Sequence, residues 1–414
     1  MIRREACLCL IAQASLGFSY FGIYAVLLNL YLLRLGYGLG FISLVNAAGQ
    51  LSFAVCSLSA GLGSQRYGNR RVMILGMCLN LLGFGLLPLI SFKLFTLEAI
   101  WLVMTYALAW LGLALVIVNI IPFLMDATGP QERSLVFSMV GAVLSLSGFA
   151  GNLVGGLLPP LFAAKLGVPL DSPDPYRYPL LLAAMFLIPG LLALLATRDV
   201  QIDHQVQTSP STVGPVPLGL IIPLALVMLL MRTGEGAART FFNVYLDAGL
   251  GVSIALIAVL AAGGQLLAIP AALTGPGLIA RFGLRRTIML GILGMGCSLV
   301  PLALIPHWGA AGLGFLGVMV LVSFTVPAFG IYHQELMPLT WRTVMSGAAT
   351  MAVGLSWAFI TLGGGYIITT LGYRSFFLTG AALTTAGGLL FWAYSRRPQG
   401  VLVSSPDLDK IVGN

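Results

Sequence analysis

The chain has 414 residues, 58% of them apolar and only 8% charged, with a formal net charge of +8 at pH 7. That balance lies far outside the range of soluble globular domains and excludes a fold organised by burying one core away from water. Most of the sequence divides into apolar stretches near the roughly 20 residues that cross a hydrocarbon core, with the basic residues in the short segments between them, so the positive charge calls for no nucleic-acid partner.

The first segment, "MIRREACLCLIAQAS", has the basic start and the A-x-A of a secretory signal. The apolar run continues to Leu33 with no polar sequence after it, so it reads as an uncleaved first helix. Hydropathy and turn residues then predict twelve helices, over 6–33, 40–63, 72–92, 97–125, 134–163, 178–197, 218–246, 252–279, 287–306, 309–335, 343–370 and 374–395. The one long polar interruption, "TRDVQIDHQVQTSPSTVGPVP" at 197–217, is rich in Ser, Thr, Pro and Gln and reads as a linker.

The expected organisation is an all-α polytopic membrane protein: a six-helix bundle over 1–197, a cytoplasmic linker over 198–217, a second six-helix bundle over 218–397 and a cytoplasmic tail over 398–414. Lys and Arg placement sets the orientation. Arg3, Arg4, Arg66, Arg70, Arg71, Arg133, Arg198, Arg281, Arg285, Arg286, Arg342, Arg396, Arg397 and Lys410 fall on one side, against Arg34, Lys93, Lys165, Arg177 and Arg374 on the other. The positive-inside rule makes the richer side cytoplasmic, with both termini there, in the cell membrane. The five cysteines lack disulfide or zinc spacing and read as small core residues, and neither a metal nor a cofactor is expected.

The chain also repeats itself. "NLYL" at 29–32 returns as "NVYL" at 243–246, 214 positions later, while "AAGQL" at 47–51 and "RYGNRRVMILG" at 66–76 return 215 positions later as "AGGQL" and "RFGLRRTIMLG". Asp126, Arg133 and the Gly155–Gly156 pair match Glu335, Arg342 and Gly364–Gly365, each 209 positions on. Both basic loops fall on the same side, so the duplication is parallel, which requires an even number of spans per half and agrees with six plus six.

At these loops the sequence resembles the major facilitator superfamily, over essentially the whole chain. "GLGSQRYGNRR" supplies Gly61, Arg66, Gly68, Arg70 and Arg71 of the loop signature between helices 2 and 3, with Gln65 where an aspartate is usual; the second copy has Arg281, Gly283 and Arg285, with Ala280 at the aspartate position. "DATGPQERS" and "HQELMPLTWRT" resemble the loops that carry Asp126 and Arg133, and Glu335 and Arg342. The resemblance implies that these loops hold the cytoplasmic ends of the two halves and govern their switch; topology anchoring is the alternative reading. Two antiporter signatures are poorly matched, since Asn152 stands where the glycine-rich helix 5 motif has proline and Leu108 where helix 4 would carry arginine.

Helix 7 carries the unusual chemistry. Arg232, Glu235, Arg239 and Asn243 fall within an arc of roughly 80° at helical spacing. Ionisable groups inside a membrane are functional sites by default, and helix 7 lines the central cavity in the resembled family. A structural ion pair, with Glu235 at i,i+4 from Arg239 and i,i+3 from Arg232, is the competing reading. Either way one positive charge is left over, which asks for an anion. The corresponding helix 1 positions are Phe18, Phe21 and Ala25, with Asn29 matching Asn243, so an apolar wall is expected opposite the charged one. Asn46, Gln50, Asn119, Asn152 and Gln265 are further candidates that interhelical bonding explains at least as well, and the rings of Tyr20, Tyr24, Tyr106, Trp110 and Trp357 are candidates for which packing is the commoner role.

The expected function is secondary active transport by alternating access of a small organic, anionic or amphiphilic solute. Arg232, Arg239, Asn243, Asn29, Phe18 and Phe21 are its expected binding residues, Glu235 its proton-coupling group, and a monomer in the lipid bilayer its expected form. Proton-driven efflux and a lipid flippase-like role use the same parts. An intramembrane enzyme is disfavoured, since no P-loop, H-E-x-x-H or G-x-S-x-G is present and His204, His307 and His333 are scattered.

Overall fold

In a hydrocarbon core every backbone N–H and C=O must be satisfied within its own segment, which leaves helices as the form for stretches this apolar. A computed structural model describes residues 4–89, 95–128, 130–198, 218–337 and 341–396, and the described chain is helical almost throughout. The helices are α1 (Arg4–Arg34), α2 (Leu39–Tyr67), α3 (Asn69–Leu89), α4 (Phe95–Ala127), α5 (Pro130–Leu166), α6 (Asp174–Ala196), α7 (Leu218–Gly249), α8 (Ile254–Phe282), α9 (Leu284–Leu304) and α10 (Trp308–Leu336). The last helical stretch, Arg342–Ser395, is broken at Gly372, whose φ of 81° and ψ of 169° are not helical. It therefore makes two crossings, α11 (342–371) and α12 (373–395), and the described residues form twelve.

Most of the predicted boundaries move outward by up to a turn, because the helices run past the apolar window into the polar ends. The linker at 199–217 and the tail from 397 lie outside the described residues, as do the side chains of Asp126, Arg133 and Arg342.

The duplication is visible in the backbone. Gly68, between α2 and α3, has φ 85° and ψ 145°; Gly283, between α8 and α9, has φ 80° and ψ 155°. Only glycine takes that region without strain, so the same residue type stands at both copies of the turn. Gly36 and Gly251, which follow α1 and α7, form a second such pair at φ 89° and 65°.

Buried apolar residues fall into two clusters, one within α1–α6 joined by Ile254, Ala258 and Ala261 of α8, the other within α7–α12. Small residues bring the two bundles together. A Cβ on Gly156 of α5 would stand 2.1 Å from the Ala258 Cβ of α8, and one on Gly365 of α11 would stand 2.1 Å from the Ser43 hydroxyl of α2. With no hydrophobic drive between helices in lipid, such backbone approach is what lets dispersion hold them.

Candidate functional site

Helix α1 does not run as a uniform α-helix. Gly17–Tyr24 is a π-helical segment, where each turn is widened by one residue. Gly22 sits against Gly151 of α5, where an added Cβ would meet Gly151 Cα at 2.5 Å, so the widened turn lies hard against its neighbour. The segment turns Tyr20, Phe21 and Tyr24 toward the middle of the molecule, where all three line a cavity of about 100 Å³ between the two halves. Sequence periodicity had no signal for this π segment.

Across the cavity stand α7 and α11, contributing Gly236, Arg239, Thr240, Asn243 and Trp357, with Asn29, Gln50, Trp110 and Asn152 among the wall residues of the first half and Gln265, Phe315 and Met319 of the second. Four of these carry a buried polar atom without a hydrogen-bond partner: Gln50 Oε1, Trp110 Nε1, Asn152 Oδ1 and Trp357 Nε1. Leaving such an atom unpaired costs about 1–3 kcal/mol, so a water or solute in the cavity that bonds there is favoured.

The charged stripe divides by depth. Glu235 is 2% exposed and is gripped on both sides: Arg239 Nε donates to Oε1 at 2.7 Å, and Arg232 Nη1 pairs with Oε2. Arg232 is buried with its Nε unpaired and its guanidinium 5.2 Å from the centre of the Trp357 ring. Arg239 is the most open of the three, with 32% of its side chain exposed, and only it lines the cavity. Gly236 makes room for this arrangement, because a Cβ there would meet Trp357 at 2.7 Å. Arg232 and Glu235 thus lie one layer behind the wall, and Phe18 turns away to Phe186 of α6 at a ring separation of 4.5 Å, while Phe21 lines the cavity.

Asn29 and Asn243, 214 positions apart, make reciprocal bonds. Asn29 Nδ2 donates to the Thr240 carbonyl of α7 at 2.7 Å, and Asn243 Nδ2 donates to the carbonyls of Ala25 and Val26 of α1 at 2.7 and 3.2 Å. Asn46 Nδ2 in turn donates to Asn29 Oδ1 at 2.8 Å. Further toward the ends of the same helices, Arg34 Nη2 donates to Asp247 Oδ1 at 2.9 Å, with Asp171 at 3.5 Å and the Tyr176 ring beneath it. In the sequence Arg34 counts only among the outer basic residues and Asp247 has no role, because the two are 213 positions apart and their pairing has no local signal.

At the opposite end Arg70 and Arg285 each bond to the last helix of their own half. Arg70 Nη2 donates to the Leu195 carbonyl at the end of α6, and Arg285 Nη1 to the Ser395 carbonyl at the end of α12, at 2.9 and 3.0 Å. Both meet a helix C-terminus, where cations are favoured. Arg66 and Arg281 are exposed and lie over the neighbouring rings of Tyr67 and Phe282. Arg71 is exposed at the start of α3, and Glu335 shares a hollow with Gly283, Arg285 and Tyr332. The three loop residues whose side chains lie outside the described set, Asp126, Arg133 and Arg342, are placed by backbone only, at the end of α4 and the starts of α5 and α11.

The model of the Major Facilitator Superfamily matches residues 9–361. The chain belongs to that superfamily. Two of its curated relatives are uncharacterized MFS-type transporters of Pseudomonas aeruginosa, 32% identical over 174 residues and 31% over 182. These alignments span only 42% and 44% of the relatives' length and the same shares of this chain. Among solved folds, the inward-open xylose transporter XylE from E. coli superposes with a TM-score of 0.74 at 14% identity, covering 96% of this chain and 98% of that one. The nucleoside transporter NupG superposes at 0.69 and 12% identity over 95% and 99%. Identities this low establish the shared fold and nothing about the solute.

Proposed function

We propose that this superfamily member is a secondary active transporter that carries a small organic anion or amphiphile through the cavity between its halves, coupled to protons. The observation that carries this reading is the wall itself: both halves contribute residues to one cavity, and the one guanidinium that reaches it among the described residues belongs to a buried group with one positive charge over. A scaffold or receptor has no need of such a charge at that depth. The halves 1–197 and 218–397, joined by the linker 198–217 and followed by the tail 398–414, rock about the site, and the reciprocal Asn29 and Asn243 bonds mark where α1 and α7 stay in touch. With both termini in the cytoplasm of the cell, Arg34 and Asp247 lie on the outer side, where their ion pair ties α1 to α7.

Glu235 is the proton-coupling group in this reading. Ionised, it compensates one arginine; protonated, it releases its hold on Arg239, so proton and solute act on the same guanidinium. The test is transport in vesicles of purified protein under an imposed proton gradient, across organic anions, lipophilic cations, sugars and phospholipids. A small organic anion should accumulate in the wild type, and Glu235→Gln should still exchange it downhill without gradient-driven accumulation. Undiminished uphill uptake by Glu235→Gln would remove Glu235 from the coupling, and uptake confined to phospholipids would replace the solute reading with a flippase.

A further inference from the structure

The guanidinium of Arg239 is only half used. Its Nε–H is taken by Glu235 Oε1 at 2.7 Å, and among the described residues no other hydrogen bond or ion pair is made by its two terminal nitrogens. A guanidinium holds a second carboxylate end-on through those nitrogens, bidentate and in plane, with no need to displace the first. Since Arg232, Glu235 and Arg239 together leave one positive charge, one monovalent anion neutralises the site. A dianion would leave a charge stranded, and a cation would add to the excess.

The rest of the wall sets the body of the ligand. Tyr20 of α1 lines the same cavity as Arg239 and meets Trp110, another wall residue, edge-on at a ring separation of 5.2 Å, so part of the wall that Arg239 shares is aromatic. Trp357 borders the same space with the Arg232 cation 5.2 Å from its ring centre. A cation on one side of an indole draws on its π density and biases the remaining contacts toward an electron-rich or anionic partner. The space of about 100 Å³ is small beside the roughly 300–1,000 Å³ of drug-sized pockets. Resting on the transport reading above, we infer that the cavity selects a small planar monocarboxylate with an aromatic body, its carboxylate end-on to Arg239 and its ring among Tyr20, Trp110 and Trp357.

The test uses the purified full chain in detergent and reads affinity by ligand-dependent thermal stabilisation. The probes are benzoate, cyclohexanecarboxylate, acetate, terephthalate, benzyl alcohol and benzylammonium. Benzoate should bind most tightly, cyclohexanecarboxylate about 2- to 10-fold more weakly for loss of stacking, and terephthalate and benzylammonium weakest. Arg239→Lys keeps the ion pair with Glu235 but lacks the fork, and should weaken benzoate about 10- to 100-fold in a folded protein. Trp357→Leu should erase the preference for benzoate over cyclohexanecarboxylate. Equal or tighter binding of benzylammonium, terephthalate or acetate overturns the inference, as does benzoate binding untouched by Arg239→Lys or no binding of benzoate at all. In each of those cases the vesicle assay of the Glu235→Gln variant still judges the transport reading on another solute, so the two fail separately.

Discussion

Glu235→Gln removes the charge that two arginines share, and its cost follows from how each arginine is placed. Arg232 is buried, with 10% of its side chain exposed, and pairs with Glu235 Oε2; nothing else acidic reaches it among the described residues, so it becomes an uncompensated buried cation. Breaking a buried pair on one side costs about 3–5 kcal/mol. Arg239, with 32% of its side chain exposed, is screened and adds about 1 kcal/mol at most. The stacking of Arg232 on Trp357 is present before and after the substitution, so it leaves the balance unchanged. The expected net loss is therefore about 3–6 kcal/mol, read as a lowered midpoint in thermal or denaturant unfolding of the detergent-solubilised protein at neutral pH. Removing the stranded partner as well, in Glu235→Gln with Arg232→Met, should recover at least half of that loss, because the residual pair is then two neutral side chains of similar volume. A Glu235→Gln single variant within about 0.5 kcal/mol of the wild type would refute the reasoning. That result would mean that Glu235 rests protonated and that the three groups do not form an ionised triad.

Three further outcomes are expected. Arg34→Ala and Asp247→Asn each remove a part-buried pair between α1 and α7 worth about 1 kcal/mol, so a cysteine at Leu28 on the cavity wall should react about fivefold faster with a thiol reagent added from the Arg34 side; unchanged labelling would mean that this pair does not hold that end closed. Gly283→Ala forces a Cβ into φ 80° and should cost about 1–2 kcal/mol of stability, whereas Gly277→Ala, inside the preceding helix α8 with open space at its Cβ, should be neutral or better; equal effects would show that the turn tolerates a side chain. Arg70→Ala and Arg285→Ala each release a helix C-terminus within their own half, and should slow solute turnover while leaving benzoate affinity within about twofold; a loss of affinity equal to the loss of turnover would place these loops in binding rather than in the switch.

Much of this was legible along the chain because it depends on local physics. Apolar length and turn residues gave the twelve crossings, since a helix in lipid satisfies its own backbone. The near-constant offset of 214–215 positions gave the duplication, and with it the matched glycines at 68 and 283, where only a residue without Cβ takes the required φ. Helical spacing also placed Arg232, Glu235, Arg239 and Asn243 on one face of α7, which they share. It could not tell depth along that face, because a periodicity fixes direction from the axis but not what stands in front. That Trp357 covers Arg232 and leaves Arg239 at the cavity depends on α11 packing against α7 at Gly236, a contact between residues 121 positions apart. The turning of Phe18 toward α6 and of Tyr20 and Phe21 toward the cavity depends in the same way on the π segment of α1, whose extra residue per turn departs from the period used to read the helix. The pairing of Arg34 with Asp247 and the attachment of Arg70 and Arg285 to their own last helices were decided by which helix ends meet. That is settled by close packing of the whole bundle, where a loop charge takes the nearest carboxylate or free carbonyl in space, whatever its distance along the chain.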